Sequence, residues 1–152
     1  LIIDSASDIL PEEAEKYGIK VIVDVVANHL AGNHSNIQND LKSGQYWHTY
    51  GTVSNWSDRY QVTYGEIGMP DLKSENAYVQ QVVANYVNEL KNLGVDGIRW
   101  DSAKHISLPS EGSTFWPGVT SQGLFHYGEI LTGPDDRPTG NENLMIDILL
   151  IV

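Results

Sequence analysis

Apolar residues recur along this chain with two spacings, and the changes of spacing fall at glycines. Lys20 to Ala27 is an almost unbroken aliphatic run, Val21-Ile22-Val23-Asp24-Val25-Val26, the pattern of a parallel strand covered on both faces. From Asn76 to Leu93 the spacing becomes helical. Val79, Val82, Val83, Tyr86, Val87, Leu90 and Leu93 recur on one side, Ser74 or Asn76 can cap the start, and Gly94 stops it. The stretch from Gly94 to His105 then alternates with a period of two, which puts Gly97, Arg99 and Asp101 on one face of a strand and Ile98 and Trp100 on the other. Leu124 to Leu131 reads as a further strand, with Tyr127 and Glu129 sharing a face. Ahead of all these, Asp8 to Tyr17 predicts a short helix, with Pro11 near its start, Gly18 as its stop, and Leu10, Ala14 and Tyr17 on one side.

The order helix, strand, long loop, helix, strand is the βαβ order of a parallel sheet. Leu30 to Ser74 lacks regular periodicity but is rich in Asn, Ser and Gly, with Trp47, His48, Tyr50, Trp56, Tyr60 and Tyr64 interspersed. An excursion of that length is functional or a small subdomain rather than a mere connection. Its aromatics suit sugar stacking and equally suit a small core of their own. Ser107 to Gly123 is a second connection, with one helical turn expected around Phe115 and Trp116. Three predicted strands thus end in acidic or polar clusters at the same end, the arrangement of an active site on a (β/α) barrel. A complete barrel takes about 250 residues, with a floor near about 200, whereas this chain has 152. It starts without Met and ends on the apolar run Leu144 to Val152. We therefore expect a piece of a longer protein, inactive alone, whose three strands leave two unpaired edges.

Composition narrows the partners. With 41% hydrophobic and 19% charged residues the chain is globular in type, and no apolar run approaches the roughly 20 residues of a membrane span. A net charge of -11 argues against nucleic acid and against anionic membrane surfaces, and suits a neutral substrate or a bound cation. The chain has no cysteine, which excludes disulfides, thiolate catalysis and cysteine-ligated zinc. Nothing at the N-terminus resembles a signal peptide.

Candidate chemistry lies at the strand ends. A lone Asp24 in an aliphatic run needs a partner, and Arg99 on a neighbouring strand is the candidate. Arg99 also lies two residues from Asp101 on the same face, where it would hold that carboxylate ionised and oriented. Asp101 and Glu129 on adjoining strands could face each other as the nucleophile and the acid/base of a retaining glycosidase. Glu129 has no cation adjacent in sequence, which would let it keep a proton for the leaving oxygen. Taken alone, the pair is better read as two unrelated strand-end carboxylates.

Four segments resolve that ambiguity. Asp24-Val25-Val26-Ala27-Asn28-His29, Gly97-Ile98-Arg99-Trp100-Asp101-Ser102-Ala103-Lys104-His105 and Gly128-Glu129-Ile130 resemble, in order, the first three conserved segments of the alpha-amylase family of glycoside hydrolases. Met69-Pro70-Asp71-Leu72-Lys73 resembles the family's further short motif in its small inserted domain. The resemblance implies an α/β fold, a partial (β/α)8 TIM barrel comprising the third to fifth strands, with a small irregular domain inserted after the third. Residues 1–29 and 74–152 would be barrel and 30–73 the insertion. It implies Asp101 as nucleophile, Glu129 as general acid/base, and Arg99 as the residue orienting the nucleophile. His29 would bond the sugar in the cleaved subsite, and Lys104 and His105 the neighbouring sugar. Asn28, Asp71 and the main-chain carbonyl of His105 would bind a structural calcium ion (Ca2+), a hard cation suited to oxygen ligands.

The implied activity is retaining cleavage of internal α-1,4 bonds of starch or glycogen by a secreted enzyme, monomeric as a whole. Another α-glucan hydrolase such as an oligo-1,6-glucosidase, a glucanotransferase, or a non-catalytic glucan- or calcium-binding fragment stay open. The family's fourth segment and its remaining strands are not found in the chain. Ser102 stands where the family more often has alanine, and Lys73 replaces a position usually polar or acidic.

Overall fold

The computed structural model describes residues 2–3, 10–30, 37–120 and 123–131. The start of the first expected helix and the apolar stretch 144–152 lie outside the described residues. Four strands pair in the order β1-β2-β3-β4, all parallel: β1 Ile2–Ile3, β2 Ile22–Val26, β3 Gly97–Asp101 and β4 Phe125–Gly128. The sheet therefore has one strand more than the three expected. Two residues carry too little pattern to declare a strand; β1 is recognised only by its pairing of Ile2 with Ile22 and Ile3 with Val23.

Helices occupy the crossovers. Between β1 and β2 lies α1 (Pro11–Lys16), with proline in its first turn, where a missing N–H costs nothing. Within the excursion a short α-helix, α2 (Arg59–Tyr64), starts on the side-chain cap of Asp58. The 16-residue α3 (Ala77–Asn92) then leads back to β3. Asn76 caps it, its side chain accepting from the N–H groups of Tyr78 at 2.9 Å and Val79 at 3.3 Å. Gly94 ends it at φ +88°, a backbone conformation that glycine adopts without strain. The helical turn expected at Phe115 and Trp116 is α4 (Phe115–Val119).

The period of two in β3 decides what each face does. Ile98 and Trp100 are buried under α3 and α4 with Val83, Val87, Phe115, Trp116 and Val119. Each such large apolar side chain contributes about 1.5–3 kcal/mol on burial. Arg99 and Asp101, on the opposite face, are only half buried and stay available for chemistry. A second apolar cluster, Ile37, Leu41, Trp47, Leu72 and Val79, seats the excursion on the first turn of α3. Trp47 is therefore core, its indole N–H donating to the Leu41 carbonyl at 2.8 Å. Tyr50, Trp56 and Tyr60 are exposed instead, so the excursion's aromatics divide between a core of its own and its surface.

Candidate active site

Register brings the polar residues together. Asp24 on β2, Arg99 on β3 and Tyr127 on β4 lie side by side, and Glu129, just past β4, has its N–H on the Trp100 carbonyl at 2.8 Å. Arg99 sits among three carboxylates. Its Nη1 donates to Asp24 Oδ1 at 2.7 Å and Asp101 Oδ1 at 2.8 Å, and its Nη2 pairs with Glu129 Oε1 at 2.8 Å. Burial disfavours the charge on Arg99, but the bonds to Asp24 and Asp101 outweigh it and hold the guanidinium more firmly protonated than usual.

Asp101 and Glu129 thus meet on one guanidinium, Asp101 by a hydrogen bond and Glu129 by an ion pair. The idea that Glu129 stands clear of any cation is overturned: the cation absent from its sequence neighbourhood arrives from β3. Both carboxylates share it, so any division of labour between them must come from their other partners.

Ser102 supplies one such difference. It takes the left-handed conformation at φ 51°, uncommon without glycine, and its N–H donates to Glu129 Oε2 at 3.2 Å while its Oγ–H donates to Asp101 Oδ2 at 3.0 Å. His29 adds another, with Nε2 3.9 Å from Asp101 Oδ2. Burial lowers the His29 pKa against the attraction of Asp101, so its ring is neutral at pH 7. Beyond Glu129 opens a cavity of about 150 Å³, with Trp56, Ser102, Lys104 and His105 in its wall. The Lys104 ammonium sits over the Trp56 ring, 5.3 Å from its centre, and also bonds the Leu131 carbonyl. His105 is buried, its Nδ1–H donating to the Val62 carbonyl at 2.7 Å. Burial drives its pKa down to about 4, so it too is neutral.

Two of the candidate cation ligands adjoin His29, Asn28 in the chain and Asp71 by an isolated β-bridge. Asn28 and Asp71 are joined through backbone: Leu72 N–H donates to the Asn28 carbonyl at 2.8 Å, and His29 bridges to Asp71. Both residues are 1% exposed, and Asp71 Oδ1 and Asn28 Nδ2 have no hydrogen-bond partner. A buried carboxylate oxygen without a donor fits an oxygen-ligated cation, and turning the amide over would add the Asn28 oxygen. Among the described residues no cluster of three or more His, Cys, Asp or Glu side chains could hold a metal by itself, so amide and main-chain oxygens would have to complete the set.

Sequence reasoning missed the part played by His48, which lies between Asp71 Oδ2 (2.6 Å from Nδ1) and Glu75 Oε1 (2.9 Å from Nε2). Burial opposes its charge, but those two bonds raise its pKa to about 9. It missed Arg59 and Glu111 as well. These residues form no motif and meet only in the fold.

A parallel β/α sheet that gathers an aspartate and a glutamate on one arginine at its carboxyl ends has the architecture of part of a β/α barrel, the class whose active sites lie at that end. Comparison with known proteins is specific. The profile of the "Alpha amylase, catalytic domain" family matches residues 4–122, so the chain belongs to the alpha-amylase family of glycoside hydrolases. An alpha-amylase of Clostridium acetobutylicum is 33% identical over 90% of this chain, which spans only 20% of that relative's length. The solved alpha-amylase of Geobacillus thermoleovorans, complexed with acarbose, superimposes with a TM-score of 0.65 at 30% identity, covering 80% of this chain and 28% of that one. A solved cyclomaltodextrin glucanotransferase gives 0.68 at 25% identity, covering 82% and 29%.

Proposed function

We propose that this chain carries the reacting groups of a retaining alpha-amylase that cleaves internal α-1,4-glucosidic bonds of starch or glycogen. The observation supporting this most directly is that one guanidinium holds both Asp101 and Glu129. In this reading Asp101 attacks the anomeric carbon while Glu129 gives its proton to the departing glycosidic oxygen, leaving a glycosyl ester on Asp101. Glu129, now a carboxylate, takes a proton from water, which attacks the same carbon and frees Asp101. Arg99 holds the nucleophile, His29 bonds the sugar in the cleaved subsite, and Lys104 and His105 bind the sugar beyond the scissile bond. The barrel comprises residues 1–29 and 74–152, with 30–73 inserted after the strand ending at Val26. Secretion and a monomeric whole enzyme go with this reading by resemblance.

A calcium ion held by Asn28, Asp71 and the His105 carbonyl would supply a structural tie between the end of β2 and the excursion. The buried, donorless Asp71 Oδ1 supports that role.

The test uses a full-length protein carrying this chain. Glu129→Gln should lose starch hydrolysis yet still cleave α-maltosyl fluoride, whose leaving group needs no proton; Asp101→Asn should cleave neither. The reverse pattern would overturn the assignment. Likeness to a cyclomaltodextrin glucanotransferase supports a second reading, in which a sugar hydroxyl replaces water. Cyclic or elongated products from maltooligosaccharides would favour it.

A further inference from the structure

Arg59, the first residue of α2, lies in the excursion, 42 positions before Asp101, yet its guanidinium is spent on the segment that follows Asp101. Nη1 donates to the Lys104 carbonyl, and Nη2 donates to the Ile106 carbonyl at 3.0 Å. Nε and Nη2 grip Glu111 as a fork, at 2.7 Å to Oε1 and 2.8 Å to Oε2. Glu111 Oε2 in turn accepts from the Leu108 N–H at 2.8 Å. Burial works to raise the pKa of Glu111, but the Arg59 and Leu108 bonds more than offset it and keep the carboxylate ionised. One planar cation therefore fastens the backbone at 104, 106 and, through Glu111, 108. The 3-10 turn Ala103–His105, which bears Lys104 and His105, rests between β3 and this fastening.

We propose that Arg59 is a positioning residue for the leaving-group side of the cleft: from the excursion, it sets where Lys104 and His105 stand relative to Glu129. A lysine cannot replace it, because two carbonyls and a carboxylate need a flat fork with several donors rather than a point charge. The neighbouring contacts agree with this. Trp56 packs edge-on against His105 with ring centres 5.9 Å apart, and Val62, one turn on from Arg59, accepts from His105. The excursion thus grips this turn at its backbone and at both side chains. The effect would be on which sugars are held beyond the scissile bond, not on the bond-breaking pair itself. The substrate part of this inference rests on the glycosidase reading above; the backbone part does not.

The experiment compares wild type, Arg59→Ala, Arg59→Lys and Lys104→Ala in a full-length protein carrying this chain, on maltopentaose and on α-maltosyl fluoride, which has no sugar on the leaving side. Arg59→Ala should lose about tenfold or more in kcat/KM on maltopentaose, mostly in KM, and stay within about twofold on the fluoride. Arg59→Lys should not rescue it. The double variant with Lys104→Ala should lose less than the two single losses combined, since Arg59 acts in part through Lys104. Equal losses on both substrates, or additive losses in the double variant, would overturn the proposal. Hydrogen exchange of amides 103–108 gives a readout independent of activity. Faster exchange in Arg59→Ala is expected, and unchanged exchange would overturn the fastening even if activity fell. If wild type cleaves neither substrate while exchange responds, the glycosidase reading fails and the fastening stands.

Discussion

Arg99 Nη1 lies 2.7 Å from Asp24 Oδ1, directly across the pairing of β2 with β3, and the same nitrogen reaches Asp101 at 2.8 Å. Under the proposed mechanism, Asp24 thus anchors the cation that orients the nucleophile Asp101. Removing the anchor should cost less than removing the cation. Asp24→Asn is expected to lower kcat about tenfold, whereas Arg99→Lys, a point charge that cannot serve three carboxylates, should lower it by about 10² or more. Steady-state kinetics in a full-length protein checks the order; a larger loss in Asp24→Asn would contradict it.

Ser102 holds Asp101 Oδ2 by its hydroxyl and Glu129 by its amide. A hydrogen bond to a nucleophilic carboxylate is stronger before attack than in the ester that forms, so it slows the first step. Ser102→Ala keeps the amide and removes that restraint. We expect kcat on α-maltosyl fluoride to rise a few-fold while the thermal midpoint falls, the hydroxyl bond being worth about 0.5–1.5 kcal/mol. A fall in kcat would show that the hydroxyl positions Asp101 rather than restrains it.

Gly97 is a packing constraint. A Cβ there would lie 2.8 Å from the Phe125 carbonyl oxygen and 3.1 Å from Phe125 Cβ, so β4 has no room to accept it. Gly97→Ala should cost about 1–3 kcal/mol. Because β4 leads straight into Glu129, it should lower activity as well. A thermal midpoint equal to wild type would mean that the strand can slide.

These positions show what the residue order could and could not reveal. An unbroken aliphatic run located β2, alternation located β3 and β4, and helical spacing located α3; β1, two residues long, left no such pattern. The Asp24–Arg99 pair was legible because a lone carboxylate in an aliphatic run demands a cation. The contact between Arg99 and Glu129 was not, since it depends on how β4 sets against β3, and that lies 30 positions away in the chain. His48 and Arg59 act across the excursion, whose irregular backbone offers no periodicity from which to project a partner.

His126 should make the core sensitive to acid. It is 1% exposed, its ring stacks on Trp100 at 5.9 Å, and its Nδ1 accepts the Trp100 indole N–H at 3.2 Å. Protonation would place two donors face to face, and burial holds the pKa below its ordinary 6.5. Its contribution is therefore complete above pH 6.5 and is lost as pH falls through the lowered folded value. His29 and His105, also depressed, act in the same direction. Replacing His126 by Gln, neutral at every pH, should flatten the fall in thermal midpoint as pH drops below the ordinary histidine value of 6.5, without abolishing it. An unchanged slope would assign the acid sensitivity elsewhere.

His48 stands beside Asp71, the carboxylate proposed to hold calcium. Two acids grip this ring, Asp71 and Glu75, at 2.6 and 2.9 Å, and its pKa of about 9 keeps it positive at neutral pH. Burial pushes Asp71 up to about 6, so between those values the pair is an imidazolium facing a carboxylate. Because the His48 pKa is raised on folding, its stabilising share is complete below pH 6.5 and disappears as pH rises through about 9. His48→Ala would leave Asp71 buried and unneutralised, at a cost of about 3–5 kcal/mol. It would also remove a positive charge from beside the carboxylate whose Oδ1 has no donor. Millimolar calcium should then raise the thermal midpoint of His48→Ala by more than that of wild type, and Asp71→Asn should abolish the calcium response in both backgrounds. Equal calcium shifts with and without His48 would show that the imidazolium and the ion do not share Asp71.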